Sequence, residues 1–193
     1  MKKALTIGEL LITMAIIGVI ATLVLPGFLK DYHNKLYITN LKKTIEVFTN
    51  AIHQANIDNN VSYFNQTPYV NDLDTFADKY LKKANAPETN PFANKYTNLN
   101  GDDVTFLEDA KYYQLAGGEA IGIKCLNSDT CDVIIDINSK EGPNISGRDF
   151  FKLIFLPQNN SLFDPAPGYV CKTNKDGLGC YDQLILDNWE MKY

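Results

Sequence analysis

Residues 10–29 read LLITMAIIGVIATLVLPGFL, twenty consecutive positions without a charge. A helix of that length rises about 30 Å, the thickness of the hydrocarbon core of a bilayer. Glu9 stands immediately before it and is the only charged residue between Lys3 and Lys30. An ionised carboxylate at depth in such surroundings costs on the order of 2 to 3 kcal/mol or more. Glu9 therefore calls for a partner, and the fold and function of the chain turn on what that partner is.

Helical periodicity continues beyond the apolar run. Tyr37, Leu41, Ile45, Phe48 and Ile52 recur at spacings of four, four, three and four, one apolar stripe with Lys35, Lys42, Lys43, Glu46 and Asn50 mostly off it. A single helix over residues 5–57 is expected, about 80 Å long, apolar all round over 5–29 and amphipathic over 30–57. Pro26 removes an amide donor inside it, which predicts either a bend with local melting or a tolerated kink. Asp58-Asn-Asn ends it. His33 and His53, the two histidines of the chain, both fall on this helix twenty residues apart, so they form no i,i+4 metal pair.

Residues 58–193 read as a water-soluble head. A short helix is expected over Asp72–Lys83, with Asn71 as its cap. Pro87, Pro91 and the Asn-rich stretch to Gly101 form a loop. Short β-rich runs then follow at Val104–Leu107, Tyr112–Leu115, Ala120–Ile123 and Val133–Ile137, with a turn at Gly117-Gly118. Phe150–Leu156 is the longest apolar run of the head and is expected to be a central strand. A long helix followed by an antiparallel sheet gives the α+β class.

The chain has 193 residues and a formal net charge of −5. An acidic surface with no basic run offers no footprint for nucleic acid. Four cysteines, Cys125, Cys131, Cys171 and Cys180, lie in the second half. An even number after an export-type N-terminus suggests disulfides formed in an oxidising compartment. Three connectivities exist. The local pairs Cys125–Cys131 and Cys171–Cys180 are favoured because each closes a short polar loop. A zinc site and free buried thiols are the alternatives. No Gly-rich phosphate loop, HExxH or G-x-S-x-G is present, and with both histidines on the long helix the head has none for a Ser–His or Cys–His pair. The expectation is a protein that is not an enzyme.

Three readings compete for the N-terminus: a cleaved signal peptide cut after Ala21, a plain signal anchor, and a processed assembly helix. The first leaves apolar residues beyond its cut and the second leaves Glu9 unexplained. Met1-Lys-Lys-Ala-Leu-Thr-Ile-Gly-Glu-Leu-Leu-Ile, followed by Ala15-Ile-Ile-Gly-Val-Ile-Ala and then Leu25-Pro26, resembles the N-terminus of type IV prepilins and type II secretion pseudopilins. Ala4, Leu5 and Gly8 depart from the residues usual in that family.

The resemblance implies a leader of residues 1–4, cleavage between Ala4 and Leu5 by a prepilin peptidase, and N-methylation of Leu5. Glu9 falls at the family's glutamate, and Gly18 and Pro26 at its helix glycine and proline. It further implies a pilin-like head on the long helix and partners consisting of other copies or related subunits in a helical filament. An inner-membrane assembly platform would complete the set. The precursor would cross the inner membrane once with its head outside the cytoplasm, and then join a periplasmic or extracellular filament. In this reading Glu9 meets the N-terminal amine of a neighbouring copy and sets axial register. The alternative is a membrane-anchored extracytoplasmic binding module that does not polymerise.

Two features of the head extend the reading. The segment Asp136–Asp149 resembles a D-x-N-G-x-K-G-P-N-x-x-G-x-D connection of some pilin-like heads, with Ser139 at the first glycine. Asp136, Asn138 and Asp149 are candidate calcium ligands there. The other reading is a loop whose side chains cap their own backbone, with no cofactor. The tail from Cys171 resembles a disulfide-bounded pilin terminus, with Lys172–Gly179 as an exposed loop. Trp189, the only tryptophan, either anchors this tail or makes an external contact.

Overall fold

The computed structural model describes residues 6–85, 89–105 and 107–193. Residues 1–5, which hold the expected leader and the expected cut between Ala4 and Leu5, lie outside the described residues, as do Pro87 and Phe106. The chain is α+β. Its elements are helix α1 (Ile7–Asp58), helix α2 (Leu73–Tyr80), strands β1 (Tyr96–Thr97) and β2 (Asp103–Val104), strands β3 (Lys111–Gln114), β4 (Ala120–Cys125), β5 (Cys131–Asp136), β6 (Phe150–Leu156) and β7 (Ser161–Phe163), and helix α3 (Cys180–Leu186).

Two compact units divide at Leu36 and Tyr37. In the first, α1 carries exposed side chains almost throughout from Ile7 to Leu29. It stays helical through Pro26. Thr13 and Thr22 donate their hydroxyls to the carbonyls of Leu10 and Val19, each at 2.9 Å, so these polar groups are satisfied within the helix.

The second unit contains Tyr37–Asp58 of α1 and the head. Here α1 buries Ile38, Leu41, Thr44, Phe48, Ala51, Ile52, Ala55 and Asn56. Tyr37 and Ile45, expected on the stripe, lie on its half-buried flank. Small residues line its centre because Thr44, Ala51 and Ala55 let the helix approach its neighbours closely. The Thr44 hydroxyl donates to the Asn40 carbonyl at 2.8 Å, which makes its burial acceptable.

The five-stranded sheet runs in the order β3-β4-β5-β6-β7, antiparallel throughout. β6 therefore sits second from the edge and β5 in the centre. The β3–β4 turn falls at the predicted glycines, where Gly118 has φ +95 and donates its N–H to the Leu115 carbonyl at 3.0 Å. Strand alternation gives the sheet two apolar faces. Ile121, Ile123, Val133, Ile135, Phe151, Leu153 and Phe155 belong to the same core as the buried face of α1. Phe48 and Phe64 meet Phe155 edge-on at 5.4 and 5.8 Å between centroids. On the other face Ala120, Ile134 and Phe150 pack with Phe92, Tyr96 and Val104. With apolar residues on both faces, β5 and β6 read as nearly continuous hydrophobic runs.

Several boundaries differ from expectation. α1 ends at Asp58, as read. α2 is capped by Asp72 rather than Asn71: the Thr75 N–H and hydroxyl donate to its carboxylate at 3.1 and 2.7 Å. α2 stops at Tyr80 because Leu81 turns to extended backbone. The run from Val104 forms only a two-residue strand with Asp103.

Both disulfides take the favoured local pairing, Cys125–Cys131 across the β4–β5 hairpin and Cys171–Cys180 joining the preceding segment to the first residue of α3. Buried Asp164 organises the second. One oxygen accepts from the N–H groups of Ala166 and Gly179 at 2.9 and 2.8 Å, and the other from Tyr181 and Asp182 at 2.9 and 3.3 Å. It thus caps the first turn of α3 from outside the helix. Gly147, at φ +90, lies against this disulfide: a Cβ there would fall 2.7 Å from both sulfurs, which requires glycine. Replacing Asp164 by Ala orphans these donors, and we expect a loss of about 3 kcal/mol in urea unfolding. An effect below about 0.5 kcal/mol would refute the capping role.

Candidate functional site

The first candidate is the start of α1. The Thr6 N–H and hydroxyl both donate to Glu9 Oε2 at 2.9 Å, and the Glu9 N–H donates back to the Thr6 hydroxyl at 3.3 Å. This is a capping box, with threonine before the helix and glutamate three residues on. Its signature, Thr6-x-x-Glu9, is local and legible in the sequence. Both Thr6 bonds fall on Oε2. Glu9 Oε1 makes no hydrogen bond among the described residues and is exposed, as are the apolar side chains that follow it. Gly18 meets nothing within 4 Å of an added Cβ, and Pro26 lies inside the helix. An 18-residue window of this helix has a mean hydropathy of 2.4 with none of it buried. The helix is long and apolar enough to serve as a single membrane span or as a signal.

The second candidate is the loop from Asp136 to Asp149. Both end residues are fully buried. Asp136 Oδ2 accepts from the Tyr96 hydroxyl at 2.5 Å, and Oδ1 accepts from the Asn138 N–H at 3.1 Å. Asp149 accepts from the N–H groups of Asn144 and Ile145, each at 2.7 Å, one on each oxygen. Asn138 donates its side-chain amide to the Gly142 carbonyl at 3.0 Å. Ser139 adopts φ +60, the left-handed conformation for which glycine is the usual residue. Its hydroxyl donates to the Pro91 carbonyl, and the Thr97 N–H donates to the Asn144 carbonyl, so the loop is fastened to the segment around β1.

Burial pushes the Asp136 carboxyl up to about 7, against the lowering effect of the Tyr96 hydroxyl. Burial also raises Asp149, even though two backbone amides favour its charged form. Each carboxylate oxygen of the pair accepts a hydrogen bond, three from backbone N–H groups and one from the Tyr96 hydroxyl. The unpartnered oxygens among the described residues of the loop belong to Asn138 and Asn144. No group of three His, Cys, Asp or Glu side chains suited to a metal ion occurs among the described residues.

Two further contacts lay beyond reach of the sequence. Glu119, 3% exposed, pairs with Lys43 of α1 at 2.8 Å across 76 residues of chain. Trp189 packs edge-on against Tyr181 at 5.9 Å, and the Lys42 ammonium lies over its ring at 4.5 Å, so the tail is held against α1.

The chain matches no known protein family, no curated protein and no solved structure. Its functional reading therefore rests on its own geometry and chemistry.

The Asp136 pair has a solution consequence. A carboxyl whose folded pKa is raised binds more protons folded than unfolded, so its contribution to stability grows as pH falls from about 7 toward the ordinary value of 3.8. Asp136→Asn retains an acceptor for the Asn138 N–H and offers a donor to the Tyr96 hydroxyl. Between pH 8 and 5 the melting temperature of this variant should vary less with pH than that of the wild-type chain. Identical slopes would show that Asp136 titrates normally.

Proposed function

We propose that the chain is a structural subunit of a filament of the type IV pilus or type II secretion pseudopilus kind. It is made as a single-pass membrane precursor with its head outside the cytoplasm. A prepilin peptidase cuts it between Ala4 and Leu5, the new N-terminus is methylated, and the subunit joins a filament through α1. The observation that carries this reading is the exposed apolar surface of Ile7–Leu29 with one acid, Glu9, at its start. Such a surface suits lipid before assembly and the helices of other copies after it.

The capping box sharpens the role of Glu9. Cleavage after Ala4 retains Thr6 and Glu9, so the helix keeps its cap while a free amine appears at Leu5. Oε2 serves the cap and Oε1 stays open to the amine of a neighbouring copy. The pairing relieves two poorly solvated charges and selects one axial register. The two disulfides suit an oxidising compartment.

A second reading is favoured by the same box. Thr6 already gives Glu9 an intrachain partner, as a membrane-anchored binding module that never polymerises would need. Two measurements separate the readings. Intact mass of the protein from its own cells should lack Met1–Ala4 and carry a methyl group; a retained leader overturns the filament proposal. Glutamine also completes a capping box, so Glu9→Gln leaves the helix start and membrane insertion intact while removing the charge. Incorporation into filaments should fall by about tenfold or more, given the cost of breaking an ion pair in apolar surroundings. Wild-type filament yield from this variant would leave the module.

A further inference from the structure

Asn-x-Ser/Thr, the acceptor pattern for N-linked sugars, occurs four times in the chain, at Asn60, Asn65, Asn144 and Asn159. Transfer needs an accessible amide nitrogen and a free hydroxyl two residues on, and the structure separates the four on both counts. Thr67, which follows Asn65, is buried and donates its hydroxyl to the Phe64 carbonyl at 2.7 Å. Ser146, which follows Asn144, is buried and donates to the Gly177 carbonyl at 2.6 Å. Ser161 donates to the Oδ1 of Asn159 itself at 2.6 Å. Ser62 alone is exposed with its hydroxyl in no hydrogen bond among the described residues.

The amides of Asn65 and Asn144 are also partly sequestered, whereas exposed Asn159 is set apart by its hydroxyl contact alone. The Asn65 amide donates to Asp129 at 3.3 Å, and its oxygen is buried. The Asn144 oxygen is likewise buried inside the loop. Asn60 is exposed at φ +54, just past the end of α1, where its backbone N–H donates to the Ile57 carbonyl at 3.0 Å. This left-handed C-terminal position turns the chain out of the helix. The Asn60 side chain makes no hydrogen bond among the described residues, and residues 59–63 belong to no helix or strand. Ile57 and Tyr63, 52% and 43% exposed, flank it and present apolar surface that a sugar would cover.

We infer that Asn60 is an N-glycosylation site, with Ser62 as its recognition hydroxyl. The donor is a lipid-linked glycosyl diphosphate, the form of activated sugar available at the outer face of a membrane. The Asn60 Nδ2 attacks the anomeric carbon and the nitrogen–carbon bond forms. The bond from that carbon to the diphosphate oxygen breaks, the lipid diphosphate leaves with the electron pair, and a proton from Nδ2 passes to a base on the transferring enzyme. The inference rests on the extracytoplasmic placement of the head proposed above, and not on polymerisation.

The test is glycopeptide mass spectrometry of the full chain purified from its own cells. The peptide spanning Asn60 should carry the mass of one or more sugar residues. Ser62→Ala should lose that mass with an unchanged melting temperature, because the hydroxyl holds no contact. Ser62→Thr should retain it, and so should Asn159→Gln. An unmodified Asn60 in the wild-type chain overturns the inference whether or not the chain has entered filaments, and so does a Ser62→Ala chain still modified there. A glycosylated Asn60 on a chain that never polymerises sustains it and counts against the filament reading alone.

Discussion

Hydrocarbon side chains from Ile7 to Leu29 stand exposed around α1, and water disfavours such a surface at roughly 25 cal/mol for each Å². The polar groups of the same stretch add little to that exposed surface. Thr13 and Thr22 return their hydroxyls to the backbone, and Pro26 removes a donor rather than adding one. Glu9 is placed where the first turn needs an acceptor, so the one charge of the segment also completes the helix end. Among the described residues, one carboxylate oxygen accepts both bonds from Thr6.

The head solves a different problem. Its sheet is apolar on both faces, and the connections between its strands carry the buried polar groups. Asp149 folds the long loop onto two amides, and Asp136 ties that loop to Tyr96. Glu119 pins the β3–β4 hairpin to Lys43 of α1. Asp136 and Glu119 join segments distant in sequence while Asp149 closes its own loop, and burial makes each satisfied hydrogen bond hard to replace.

What was legible in the chain follows the range of the forces involved. α1, its stop at Asp58, the β-rich runs of β3 to β6 and the two local disulfides were readable because each is written within a few residues. The buried face of α1 was misplaced at Tyr37 and Ile45 because large apolar residues were counted, whereas Thr44, Ala51 and Ala55 form its centre. α3 went unseen because its cap, Asp164, lies outside the helix and many residues before it. β7 is three half-buried residues, too short for alternation to register. At the second candidate site the loop residues and their capping of nearby backbone were within reach of the sequence, whereas the Tyr96 hydroxyl on Asp136, from forty residues away, was not. The Thr6–Glu9 box was local and legible.

Asp164 also bears on how the tail acquires its covalent link. Its carboxylate gathers the amides of Gly179, Tyr181 and Asp182 around the residue that carries one of the two sulfurs. Cys180 is therefore held in position by noncovalent forces that do not depend on its oxidation state. The crosslink and the carboxylate thus fasten the same turn twice, once covalently and once through hydrogen bonds that thiol chemistry does not touch.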